Sequence, residues 1–147
     1  MEATRVNWRM VKEESYQYHK KADEPEVIYD IASKILEGEA QENVLVFALD
    51  VKLNIVGITT VTKGLVDTSL LHPREIFRPV ILANGGSCIL VHNHPSGDPT
   101  PSKEDEAITS RMREAGAILG IRLIDHVIVG DGKYYSLEVN KLFEREG

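Results

Sequence analysis

One cysteine, Cys88, is all the thiol chemistry this sequence holds. A lone thiol cannot close an internal disulfide, and its place inside an apolar run predicts a buried structural group, not a reactive one. No apolar run approaches the roughly 20 residues a membrane span needs, and the N-terminus lacks the apolar stretch of a signal peptide. These absences predict a cytoplasmic protein with no membrane contact. Positive charge is also scarce: 17 Lys and Arg against 23 Asp and Glu leave a formal charge of −6. That balance argues against a strong electrostatic grip on nucleic acid, which needs clustered basic residues to displace counterions, although local basic patches stay compatible with it. No internal repeat or low-complexity segment interrupts the 147 residues, so a single domain with a sizeable core is expected.

What the sequence does hold is concentrated between Val91 and Asp105. The run Ser87-Cys88-Ile89-Leu90-Val91 reads as a buried strand that ends directly in His92-Asn93-His94. Side chains two apart on a strand point the same way, so both imidazoles can converge on one point. The seven residues from Pro95 to Pro101 include three prolines and a glycine, which forbids helix and predicts a stiff loop. Ser102 then opens a helical pattern, with Asp105 in its first turn. The chain thus brings a carboxylate back beside two imidazoles, a metal site in outline. Three protein ligands leave a fourth tetrahedral position open, as catalytic zinc sites do and structural ones do not. Iron, nickel and cobalt are also compatible with these ligand types. A plainer reading exists for each half. Most His-x-His pairs are ordinary hydrogen-bonded histidines. Ser102 followed by Asp105 nearly matches a capping box, in which the acid reaches back to a backbone N–H and binds no metal.

His-x-His, seven residues, then Ser-x-x-Asp resembles the pattern of the JAMM (MPN+/JAB) metalloproteases, met here by His92, His94, Ser102 and Asp105. The fuller string from His92 through Gly97 to Pro101-Ser102 is similar to the RadC branch of that family. His72-Pro73-Arg74-Glu75 and Asp125-His126 look like further RadC landmarks, and the likeness runs from about Pro25 to the C-terminus. The resemblance implies an α/β fold, a single MPN/JAB-type domain of the cytidine-deaminase-like kind with a central mixed sheet flanked by helices. It would span residues 25–147 behind an arm of residues 1–24, with no room for the N-terminal helical region of full-length RadC-like proteins. It implies one zinc ion held by His92, His94 and Asp105, with Glu42 as general base and Ser102 donating to an oxyanion. The implied reaction is amide hydrolysis, on a peptide or an isopeptide-linked protein. Two other classes stay open: a DNA-repair-associated role, nuclease or accessory, which the RadC name suggests, and a binding module whose metal is structural. Glu42 has a plainer reading as an exposed acid at a strand edge. Glu75 is its rival as base, although an acid in the first helical turn more commonly complements the helix dipole or caps.

Along the rest of the chain, Val6, Trp8 and Met10 alternate with polar residues and predict a short edge strand, with Trp8 a packing residue; Lys12 to Lys21 reads as loop. Asp23 as N-cap, Pro25 near the first helical position and acids in the first turn start a helix that buries Val27, Ile28, Ile31 and Ile35 and stops near Gly38. Asn43–Asp50 and Ile55–Thr62 read as strands of an antiparallel hairpin. A helix over 73–83 should turn Ile76, Phe77, Val80 and Ile81 inward, with Pro79 kinking or shortening it at a cost of about 3 kcal/mol. The helix from Ser102 to Gly116 should bury Ile108, Met112, Ala115 and Leu119 in its own domain. A strand over 121–129, a turn at 130–133 and a strand from Tyr134 to Leu137 complete the pattern. Asp125 and His126 point to opposite faces of their strand. Either one of them orients a ligand imidazole, or the two form a hydrogen-bonded core pair.

Overall fold

The computed structural model describes residues 1–64 and 70–145. The elements in chain order are α1 (Pro25–Ile35), β1 (Asn43–Leu49), β2 (Ile55–Lys63), α2 (Pro73–Leu82), β3 (Ser87–Asn93), α3 (Lys103–Leu119), β4 (Arg122–Val129), β5 (Lys133–Ser136) and β6 (Lys141–Glu144). The strands form one mixed sheet in the order β2-β1-β3-β4-β5-β6. β1 is antiparallel to both β2 and β3, whereas β3 and β4 are parallel. A parallel pair needs a crossover, and α3 supplies it.

Both faces of the sheet's centre are covered, so β1 and β3 are buried along their whole length without a wet side. On one face Val44, Val46, Ala48, Cys88 and Leu90 pack under α2 and α3. On the other, Leu45, Phe47, Leu49, Ile89 and Val91 pack under α1. Among the described residues no helix is long and apolar enough to cross a membrane.

Several expectations are corrected. Residues 1–19 form no helix or strand, so the edge strand around Val6 to Met10 is absent, and Trp8 is 77% exposed instead of packed. Alternation alone cannot make a strand where no partner offers a ladder of hydrogen bonds. The arm touches the body at Tyr18, whose hydroxyl accepts the Ile55 N–H at 2.9 Å. The cap of α1 is Glu24, not Asp23. Pro25 opens the helix and forces the residue before it into extended backbone, which fixes the cap one residue later than expected. α2 runs through Pro79 to Leu82. Its buried face is centred on Ile76, Phe77 and Val80, while Ile81, at the edge of that face, is 53% exposed. In α3 the stripe continues from Ile108 and Met112 to Gly116, and Leu119 is half exposed. A Cβ at Gly116 would collide with the Ile121 carbonyl, so the end of α3 presses directly on the entry to β4. β6 had no counterpart in the sequence reading.

Candidate metal centre

The register of β1 on β3 sets the site. Val44 stands opposite His92. Two residues back from the first lies Glu42, and two residues on from the second lies His94. Antiparallel partners share a face, and so do residues two apart, so Glu42, His92 and His94 project to the same side. His94 lies just past β3, but its N–H still donates to the Val129 carbonyl at 2.9 Å, which keeps it in line with the sheet. The site therefore sits at the carboxyl end of a strand beside the start of the following helix, the usual place for ligands in open α/β sheets.

The proline-bearing loop is braced as well as stiff. Gly97 adopts a left-handed φ of 89°, its N–H returns to the His94 carbonyl at 3.0 Å, and its own carbonyl accepts the Asp131 N–H at 2.9 Å. Gly130 crosses so close to the Gly97 carbonyl that a Cβ there would collide with it. This packing holds the Asp98 carbonyl 2.8 Å from His94 Nδ1, so that nitrogen is the donor and Nε2 faces the cluster.

At the far end of the loop Ser102 caps α3. Its hydroxyl oxygen accepts the Asp105 N–H at 3.1 Å, and Asp105 Oδ2 accepts the Ser102 N–H at 2.9 Å. The capping box is thus real, yet it leaves Asp105 free to meet both imidazoles. Oδ1 lies 3.1 Å from His92 Nε2 and Oδ2 lies 3.1 Å from His94 Nε2, while the two Nε2 atoms are 3.0 Å apart. Glu42 Oε1 stands 3.8 Å from His92 Nε2, and the ligand atoms of Glu42, His92 and His94 all fall within 4.8 Å of one another.

These distances test whether the residues suit a metal. Zinc–nitrogen and zinc–oxygen bonds of about 2.0–2.1 Å in a tetrahedron put neighbouring ligand atoms about 3.3–3.4 Å apart. The two Nε2 atoms lie 3.0 Å apart and each has an Asp105 oxygen at 3.1 Å, Oδ1 beside His92 and Oδ2 beside His94, contacts within a few tenths of an ångström of that spacing. Two imidazoles and one carboxylate also form a donor set that borderline divalent ions take. The group fits. His92 and Asp105 are buried, whereas the side chains of His94 and Glu42 keep 19% and 22% exposure, so the cluster opens to solvent on their side.

The electrostatics follow from this packing. Burial alone would raise the Asp105 carboxyl, but hydrogen bonds from His92 and His94 outweigh it and hold the group far below the carboxylate range. The Asp105 hydrogen bond lifts His94 above the ordinary imidazole value, against the effect of partial burial. Burial raises Glu42, opposed by the neighbouring imidazoles. Glu75, the rival base, lies outside the cluster; its Oε2 accepts the His72 N–H at 3.2 Å and completes the cap of α2. The lone thiol of Cys88, near the other end of β3, is buried in the core and pushed up to about 12 by desolvation.

Asp125 and His126 divide as strand alternation requires. Asp125 accepts from Ser136 Oγ at 2.6 Å and from the backbone N–H groups of His126 and Glu138, fastening β4 to the segment that follows β5. His126 turns the other way and its Nε2 lies 2.7 Å from His92 Nδ1. Two further residues support the site without a sequence motif of their own. Thr109, one helical turn beyond Asp105, lies 2.6 Å from His126 Nδ1. Asn93, between the two histidines, bonds to the backbone on either side of Glu42. The i,i+4 spacing of Asp105 and Thr109 on one helix face was the available sign of the first.

Fold and site together define a three-layer α/β domain with a cluster of histidines and acids, at the end of a central strand, that could hold a metal ion. The chain belongs to the family of the RadC-like JAB domain, whose pattern matches residues 22–142. It is 50% identical over 117 residues to a UPF0758 protein of Thermotoga maritima, covering 80% of this chain and 52% of the relative. A UPF0758 protein of Caldanaerobacter subterraneus is 45% identical over 122 residues, covering 83% of this chain and 52% of the relative. One from Shouchella clausii is 39% identical over 135 residues, covering 92% and 59%. The chain thus spans about half the length of the curated relatives it matches, and their names state no activity.

Proposed function

We propose that this domain is a zinc-dependent hydrolase that cleaves an amide bond, in a peptide or an isopeptide-linked protein, using an activated water. The observation that carries the reading is the convergence of His92 Nε2 and His94 Nε2, 3.0 Å apart, on the Asp105 carboxylate, with Glu42 Oε1 3.8 Å from His92 Nε2. A bound zinc ion would supply Lewis acidity at neutral pH. The protein's own part is positioning and proton transfer. His92, His94 and Asp105 hold the ion. Glu42 accepts the proton of the attacking water and passes it to the leaving amine; its partial burial raises its affinity for that proton toward the range a general base needs. Ser102 spends only its oxygen on the cap, so its hydroxyl hydrogen is free to donate to the carbonyl oxygen as charge develops.

The test is the Glu42→Gln protein, loaded with zinc and offered peptide and isopeptide substrates beside the wild type. Zinc content should be unchanged and hydrolysis should fall by about 10²-fold or more. Unchanged turnover would remove Glu42 from the mechanism.

A further inference from the structure

His92 can serve as a ligand through Nε2 only if its hydrogen resides on Nδ1. The buried groups behind it decide where that hydrogen goes. His126 has no solvent exposure and Thr109 almost none, so their polar atoms must satisfy one another without water. Three contacts run in series from the ligand into α3. His92 Nδ1 is 2.7 Å from His126 Nε2, His126 Nδ1 is 2.6 Å from Thr109 Oγ1, and Thr109 Oγ1 is 2.8 Å from the Asp105 carbonyl oxygen.

The far end of the series has a fixed sense. A carbonyl oxygen only accepts, so the Thr109 hydroxyl donates its one hydrogen to Asp105. The Thr109 oxygen is then an acceptor for His126, which places the His126 hydrogen on Nδ1. A neutral imidazole with hydrogen on Nδ1 has a bare Nε2, and this accepts from His92 Nδ1. Only this sense uses all three contacts. The reverse sense takes the Thr109 hydroxyl away from the Asp105 carbonyl and puts the His92 hydrogen on Nε2, where it meets Asp105 Oδ1 at 3.1 Å and occupies the lone pair an ion would need.

We propose that Thr109 and His126 are positioning residues, a hydrogen-bond relay that fixes the tautomer and ring orientation of His92 so that its Nε2 lone pair faces the metal centre. The proposal rests on the reading of His92 as a ligand. It gives α3 two duties one turn apart: Asp105 supplies the carboxylate, and Thr109 sets the direction of the imidazole opposite it. His94 reaches the same state by a different route, through the Asp98 carbonyl.

Thr109→Val and Thr109→Ser separate this role from packing, because valine keeps the shape and loses the oxygen while serine keeps the oxygen. Imidazole nitrogen NMR of the metal-free protein should find the His126 hydrogen on Nδ1 in the wild type and in Thr109→Ser, and on Nε2 in Thr109→Val. Zinc affinity should fall about 10- to 100-fold in Thr109→Val and stay near wild type in Thr109→Ser. Should Thr109→Val fail to fold, His126→Gln, whose amide oxygen can accept from His92, should keep the affinity that His126→Leu loses. Hydrogen on His126 Nε2 in the wild type, or wild-type affinity in Thr109→Val and His126→Leu, would overturn the proposal. A wild-type protein that takes up no zinc would instead overturn the metal reading, and the His126 tautomer alone would then decide the relay.

Discussion

Asn93 Oδ1 accepts the backbone N–H of Asn43 at 2.7 Å, across 50 residues of sequence. Its Nδ2 donates to the Gln41 carbonyl at 3.0 Å. One side chain therefore grips the peptide units on both sides of Glu42, and only one orientation of its amide satisfies both contacts. Asn93 lies between the two histidines in sequence, but alternation along β3 turns it to the opposite face. The clamp thus sets the position of Glu42 without occupying the site.

Replacing Asn93 by alanine should move Glu42 while leaving the ligands in place. Turnover is expected to fall about tenfold or more, since small displacements of a catalytic group are costly. Stability should drop by about 1–3 kcal/mol, because the Asn43 N–H is buried and left unpaired. Zinc content should not change. Turnover and zinc content measured side by side check this; a variant with wild-type turnover would show that Glu42 is held by other means or plays no part.

Ser102 is assigned two roles that respond differently to substitution. As N-cap, its replacement by alanine costs about 1 kcal/mol and by glycine only a few tenths. As proton donor, its hydroxyl is lost equally in both. Urea unfolding should therefore rank Ser102→Gly above Ser102→Ala, while hydrolysis should be depressed to the same degree in the two. Activity that follows stability would leave Ser102 a cap alone.

Zinc affinity should depend on pH through His94. In the metal-free protein the Asp105 hydrogen bond lifts His94 above the ordinary value of about 6.5. An ion must displace that proton, so affinity should climb about tenfold per pH unit up to the elevated value and level off above it, not at about 6.5. Stability of the metal-free protein carries two opposite signs. The raised His94 contributes stability that is full below about pH 6.5 and is lost as pH rises through its folded value. The depressed Asp105 contributes stability that is present above about pH 4 and is lost as pH falls. Zinc titrations and denaturation across this range test both, and an affinity independent of pH would contradict the pairing.

The local parts of the site were legible in the sequence because their spacing is local. Strand alternation puts His92 and His94 on one face, prolines stiffen the loop, and a Ser-x-x-Asp step starts a helix. Capping by Asp105 and its approach to the histidines read as alternatives, yet its carboxylate caps α3 and contacts both imidazoles at once. Glu42 depends on the β1–β3 register, which no local pattern encodes; only the family resemblance pointed to it. Thr109 and Asn93 act through partners 17 and 50 residues away and look like ordinary polar residues in sequence. The alternation of Val6 to Met10 misled because a strand is defined by its neighbour. β6, only four residues long and mostly exposed, gives almost no periodic pattern to read.

His92, His94 and Asp105 are proposed to hold one divalent ion. Equilibrium dialysis against zinc, on wild type and His92→Ala at the same pH, tests it most directly. About one ion per wild-type chain is expected, in keeping with a single three-ligand site, and a loss of binding in His92→Ala with the fold retained by circular dichroism. A wild-type protein that stays zinc-free, or a His92→Ala protein that binds as the wild type does, would contradict it.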